Sequence, residues 1–213
     1  MNRKILAALI ILLSANLHSQ IAVPKNNPDE WILAFVDVET TGLKPGYHEV
    51  IDIGVVLSSL NGQELDRLFL RIMPQHPQRA SQGAIDVNGF SERRWKKLHA
   101  LDPGTAVDSL VNFHTNIADG RKILMVAFNS QFDTAFIDHL FRSVNRSWRD
   151  LYYYYVLDIP SMAWARGIRS MHGKKLSQYF AIPDEPHTPE EHTGITGADL
   201  NYRLYKKIID KND

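Results

Sequence analysis

The sequence predicts an α/β domain built on a central mixed sheet of five strands flanked by helices, and three observations carry that reading. Short apolar runs follow one another between residues 32 and 72, and beyond residue 100 apolar residues alternate between helical and strand spacing. In addition, 44% of the 213 residues are apolar, enough to fill one core. Residues 32–38 (ILAFVDV) form a short apolar run bounded by turn residues, as a strand buried on both faces requires. Residues 50–57 (VIDIGVVL) are a second such run, and Gly42, Pro45 and Gly46 punctuate the short connection between them. Residues 65–72 read as a third strand, so the first three form an antiparallel meander. Ala106, Leu110, Phe113 and Ile117 recur at helical spacing, residues 122–128 (KILMVAF) are a strand, and residues 134–144 are a helix carrying Phe136, Ile137, Leu140 and Phe141. Residues 152–157 are aromatic and β-prone, expected as a half-buried fifth strand rather than a surface for stacking bases. A last helix carries Leu200, Leu204 and Ile208 on one face, widened by Tyr205 and Ile209. One domain is expected over residues 27–212, without internal repeats.

Lys plus Arg and Asp plus Glu number 24 each, so no global positive field marks a nucleic-acid binder. The absence of cysteine excludes disulfides, thiolate-bound zinc and a thiol nucleophile. Any metal must therefore sit on carboxylates, imidazoles or water. Residues 1–22 stand apart. Arg3 and Lys4 precede an apolar run at residues 5–17 that is too short to span a bilayer and has the form of a secretory signal, cut between about Ala15 and Ala22. The expectation is a secreted or periplasmic protein without stable membrane association after cleavage, its net charge near −2 once Arg3 and Lys4 are removed. The alternatives are an uncleaved anchor in the membrane or a misread start on a cytoplasmic protein. Oligomeric state leaves no mark in the sequence.

Asp37 and Glu39 stand two apart at the end of the first strand, so both carboxylates project from one face. Two such groups repel unless a cation lies between them. Taken alone, a D-x-E at a strand end opens a solvated loop, Asp133 after the fourth strand is a helix N-cap, and Asp199 suits the start of the last helix. Together, four acids at strand ends and helix starts along one sheet edge form a set of hard oxygen ligands suited to Mg²⁺ or Mn²⁺.

Residues 35–43 (FVDVETTGL) followed by residues 50–54 (VIDIG) resemble the first exonuclease motif of the DEDD superfamily. The resembling branch is the histidine-type, DnaQ-like one, which holds the proofreading subunit of bacterial replicative DNA polymerase and ribonuclease T. Asn129 with Phe132 and Asp133 resembles the second motif, residues 156–158 (VLD) the strand after it, and residues 176–183 (LSQYFAIP) a further segment. The resemblance implies a ribonuclease H-like fold, two bound Mg²⁺ or Mn²⁺ ions, and release of nucleoside 5′-monophosphates from the 3′ end of single-stranded DNA or RNA. It implies metal ligation by Asp37, Glu39, Asp133 and Asp199, terminal-nucleotide contacts by Thr40, Thr41 and Asn129, and a Leu43 wedge against the last base. The third motif departs from the pattern, in which the base histidine stands five residues before the last Asp; five before Asp199 is Gly194. His192 is the nearest candidate for the general base, brought back by a two-residue bulge at Gly194 and Gly197, and His187 is a weaker competitor. Arg93, Arg94, Lys96 and Lys97 near Trp95, or Arg166, Arg169, Lys174 and Lys175, are candidates for phosphate contact. The irregular third motif also suits two rival readings: a catalytically degenerate nucleic-acid binding module, or a secreted interaction protein that keeps only the fold.

Overall fold

Apolar runs without alternation need cover on both faces, and the fold supplies it. The computed structural model describes residues 24–210, so the leader expected at 1–22 and the final three residues lie outside the described residues. Strands β1 (Trp31–Thr40), β2 (Val50–Ser58) and β3 (Glu64–Arg71) form the antiparallel meander, and β4 (Lys122–Ala127) and β5 (Val156–Asp158) extend the sheet on the other side of β1. The strand order is β3-β2-β1-β4-β5, with β1–β4 and β4–β5 parallel. Seven helices are described: α1 (Gln82–Asn88), α2 (Glu92–Lys97), α3 (Pro103–Ala118), α4 (Ser130–Ser143), α5 (Ile159–Ala165), α6 (Gly173–Tyr179) and α7 (Gly194–Ile209).

Strand period divides the core in two. Ile32, Ala34, Val36 and Val38 of β1 face Val107 and Leu110 of α3 and Phe136, Ile137 and Phe141 of α4. Trp31, Leu33 and Phe35 face Ala163 of α5, Leu176 of α6 and Leu200, Leu204 and Ile208 of α7. The second row continues into Asp37 and Glu39, so the row that is apolar at one end of the strand becomes acidic at the other.

Three expectations are corrected. The tyrosine run is not a strand: only Val156–Asp158 pairs with β4, while Tyr152 is buried with its hydroxyl 3.0 Å from His114 Nε2 and Tyr154 and Tyr155 are exposed. The last helix begins at Gly194, not beside Asp199, and runs through Gly197 as helix, so no bulge separates His192 from Asp199. Both glycines are there for close approach. A Cβ on Gly54 of β2 would lie 2.2 Å from the Gly194 carbonyl, and one on Gly197 would lie 2.3 Å from Asp37 Oδ2. α7 is thereby laid flush on β1 and β2, pinned by Asn201 Nδ2, which donates to the Val36 carbonyl at 3.1 Å.

Candidate active site

Pairing of β1 with β4 ends at Phe35, and β4 gives way after Ala127 to the turn that opens α4. Beyond that point β1 runs on with unpaired donors on its β4 side, at the carboxyl ends of two parallel strands, where α/β sheets place their ligands. Asp133, in the first turn of α4, fills the gap: its Oδ1 accepts from the Val38 amide at 3.1 Å, and its side chain is buried. The helix is capped instead by Asp158, whose Oδ1 accepts from Ser130 N at 3.0 Å.

A cleft of about 470 Å³ opens here, and its lining includes Asp37, Glu39, Thr40, Leu43, Asn88, Asp133, Glu185 and His192. Glu39 is buried; its Oε2 accepts from Asn88 Nδ2 at 3.3 Å, and its Oε1 lies 3.0 Å from His192 Nε2. Asn88 also donates to the Thr40 carbonyl at 3.0 Å, holding the strand end open. The imidazole of His192 is fixed from behind, Nδ1 lying 3.0 Å from the Pro186 carbonyl, so that Nε2 faces the cleft. Its loop is clamped by Arg94, which donates to the carbonyls of Pro189 (3.4 Å) and Glu190 (3.4 Å) as well as to Gly89 (3.0 Å).

Charge is crowded in the cleft. Burial, then repulsion from Asp133, Glu39, Glu185 and Asp52, pushes the Asp37 carboxyl well above its usual range. Burial is also the largest cause that raises Asp133, with Glu39 and Asp158 adding to it against the opposing Val38 hydrogen bond. The hydrogen bond that His192 donates to Glu39 lifts the imidazole to about 9, although burial opposes it. Asp52, buried on β2 and accepting from the Gly194 amide at 2.8 Å, is raised to about 7, chiefly by burial and then by Glu39. Among the described residues no lysine or arginine pairs with Asp37, Glu39 or Asp133. Buried carboxylates without cationic partners fit a divalent ion. Among the described residues no group of three or more acidic or histidine side chains is arranged to hold a metal ion by itself. Mg²⁺ asks least of a protein, keeping waters and taking one or two carboxylates plus substrate phosphate oxygens.

The structure thus brings Asp37, Glu39, Asp133, Thr40, Leu43 and His192 to one cleft and leaves three expected residues out of it. The Asp199 carboxylate is taken by Arg203 Nε at 2.8 Å and Arg67 Nη1 at 3.5 Å. Thr41 is fully buried, its hydroxyl accepting from Glu49 N at 2.9 Å to hold the turn. Asn129 is exposed in a left-handed conformation (φ 58°), with its Oδ1 accepting from Gln131 Nε2. His187 is exposed and paired with Asp184 at 3.0 Å. Part of the proposed stacking and phosphate set is structural: Trp95 is buried with Nε1 on the Ile51 carbonyl, and Arg166 donates to the carbonyls of Ile208 and Asp210, while Arg93, Lys97, Lys174 and Lys175 are exposed. The lining contributed by Ser81 and α1, including Asn88, and by Glu185 escaped the sequence reading. Ser81, a helix N-cap that accepts from Ala84 N, was the one local signal for the helix that carries Asn88.

A mixed sheet in this order, with acids on the central strand and on the helix after the fourth, defines the ribonuclease H-like class of DEDD-type 3′–5′ exonucleases, to which the chain is similar. No protein-family profile matches it. It is 27% identical over 189 residues to the Escherichia coli protein named 3′-5′ DNA exonuclease Cap18, spanning 86% of this chain and 94% of that one. It is 30% identical over 109 residues to DNA polymerase III PolC-type of Oceanobacillus iheyensis, which is 51% of this chain and 7% of that protein. Among solved structures, the nuclease domain of 3′hExo, a DEDDh family member bound to rAMP, superposes with a TM-score of 0.64 at 12% identity, covering 84% of this chain and 90% of that one. E. coli exonuclease I in complex with a dT13 oligonucleotide superposes with a TM-score of 0.66 at 11% identity. There the match covers 83% of this chain but 40% of exonuclease I. At such identities the structural matches bear on the fold alone.

Proposed function

We propose that the chain is a metal-dependent 3′–5′ exonuclease that hydrolyses the terminal phosphodiester of single-stranded DNA or RNA and releases nucleoside 5′-monophosphates. The observation that carries this reading is the convergence of Asp37 and Glu39 from β1, Asp133 from α4 and His192 from the loop before α7 on one cleft. Asp37, Glu39 and Asp133 would hold one or two Mg²⁺ or Mn²⁺ ions, which supply the lowered water pKa and the stabilisation of the leaving oxygen that phosphodiester cleavage needs. With a metal drawing the Glu39 carboxylate away from Nε2, His192, still held through Nδ1 by the Pro186 carbonyl, would be free to take the proton of the attacking water. Attack on phosphorus forms one P–O bond and breaks the bond to the 3′ oxygen of the preceding nucleotide. Leu43, 80% exposed at the rim, offers an apolar face to the terminal base, and Thr40 lines the same cleft. Names of similar proteins point to both DNA and RNA ends, so either polymer is a candidate substrate. The leader reading of residues 1–22 supports action outside the cytoplasm.

A second reading, the binding module without turnover, draws on one observation: Asp199 lies outside the cleft, leaving the last position of the resemblance without its acid. One experiment separates the two. Full-length protein is incubated with 3′- and 5′-labelled single-stranded DNA and RNA in Mg²⁺, Mn²⁺ or EDTA. Stepwise loss from the 3′ end that stops in EDTA is expected; binding without shortening in either metal would replace the enzyme with the binding module.

A further inference from the structure

Resting on the exonuclease reading, the position five residues after His192 becomes informative. It is Gly197, and the backbone of α7 there is pressed against the Asp37 carboxylate, so a side chain at that rung meets Asp37 Oδ2 at 2.3 Å. One rung earlier the Gly194 backbone meets Gly54 and the Asp37 carbonyl as closely. The face of α7 toward the site therefore carries no side chain that could ligate. Asp199, two residues on and about 200° further round the helix, faces Arg67 and Arg203 instead.

The segment between α6 and α7 delivers a different acid. Glu185 lines the cleft with Asp37, Glu39 and Asp133, its side chain 23% exposed and its Oε2 3.8 Å from His192 Nδ1. Both of its chain neighbours are tethered: Asp184 Oδ1 accepts from the buried Ser177 hydroxyl at 3.2 Å, and the Pro186 carbonyl accepts from His192. We propose that Glu185 is the fourth acidic group of the site, holding a divalent cation from the loop in place of an aspartate on α7.

Three features support the assignment. A glutamate on a loop has the reach that the glycine face of α7 lacks. Four carboxylates in the cleft balance two divalent cations, whereas three leave an excess of positive charge before substrate binds. Finally, among the described residues no lysine or arginine forms an ion pair with Glu185, whose Oε2 faces the His192 imidazole instead.

The test measures Mn²⁺ binding to the full-length chain, by the electron paramagnetic resonance of the free ion, for wild type, Glu185→Gln, Glu185→Asp and Asp199→Asn, alongside hydrolysis of a 3′-labelled oligonucleotide. Glu185→Gln is expected to weaken Mn²⁺ binding by about tenfold or more and Glu185→Asp by less, whereas Asp199→Asn stays within about twofold of wild type. The metal-free melting temperature of Glu185→Gln should equal or exceed that of wild type, since a carboxylate that repels Asp37 has been removed. Wild-type Mn²⁺ binding in Glu185→Gln would overturn the proposal even if hydrolysis fell, because Glu185 would then act only on His192. Weakened binding in Asp199→Asn would also overturn it. If wild type neither binds Mn²⁺ nor shortens the oligonucleotide, the exonuclease reading itself fails; if it does both and Glu185→Gln does too, Glu185 alone fails.

Discussion

Asp37, Glu39 and Asp133 reach the cleft by a different route from Glu185 and His192. The first three ride on β1 and α4, whose directions are set by strand pairing and by the packing of Phe136, Ile137 and Phe141. The other two ride on residues 180–193, outside any named helix or strand, and are placed by individual bonds: Arg94 to two loop carbonyls, Ser177 to Asp184, His192 to Pro186. Regular elements fix a side chain's direction through their period, so a residue's number is enough to place it. A loop fixes it through long-range partners that no local pattern announces.

That contrast can be broken at several points, with effects of decreasing size. Asp133→Ala removes both a candidate ligand and the acceptor of the Val38 amide. Metal-dependent hydrolysis in a 3′-end assay should fall about a thousandfold or more. Gly54→Ala drives a Cβ into the Gly194 backbone and should lift α7 from the sheet. The expected loss is about 3 kcal/mol in urea unfolding, together with activity, because α7 carries the end of the His192 loop.

His114 tests burial away from the cleft. It is enclosed by the Leu110 carbonyl, the Tyr152 hydroxyl and the Phe113 ring, and burial lowers it to about 4. A base whose folded value is depressed leaves the protein stable above its unfolded value near 6.5, and stability is lost as pH falls toward 4 because only the unfolded chain takes the proton. Wild type should therefore lose up to about 3 kcal/mol relative to His114→Gln between pH 6.5 and 4. The raised carboxyls of Asp37, Asp52 and Asp133 act in the opposite direction. The difference between wild type and variant, rather than either curve alone, is the quantity to measure.

The smallest effect sharpens the comparison most. Asp199 sits on a regular helix yet faces away from the cleft, paired with Arg203 and Arg67. Asp199→Asn should change hydrolysis by less than about twofold and stability by less than about 1 kcal/mol, as befits a part-exposed ion pair.

The meander, β4, α3, α4 and α7 were legible because each is long enough to show its period, and the D-x-E of β1 because a period of two leaves no choice of face. Four helices, α1, α2, α5 and α6, span six or seven residues each, less than the two turns that reveal a helical repeat. Tyr152–Tyr155 has β-prone composition, but β5 pairs with β4 only from Met125 to Ala127, and the first tyrosine turns inward to His114 instead. Asp199 misled because its numbering suggested a helix start, whereas close packing of Gly54, Gly194 and Gly197 puts that start five residues earlier. Glu185 had no pattern at all; only folding brings it opposite Asp37.

The most direct test of the account pairs stability with turnover in one variant, Asp37→Asn. Asp37 is crowded by four other carboxylates, so neutralising it should raise metal-free stability by about 1 kcal/mol or more in EDTA while metal-dependent hydrolysis at the 3′ end disappears. A variant that still shortens the oligonucleotide at the wild-type rate, or that is less stable than wild type without metal, would contradict a site built from buried carboxylates awaiting a cation.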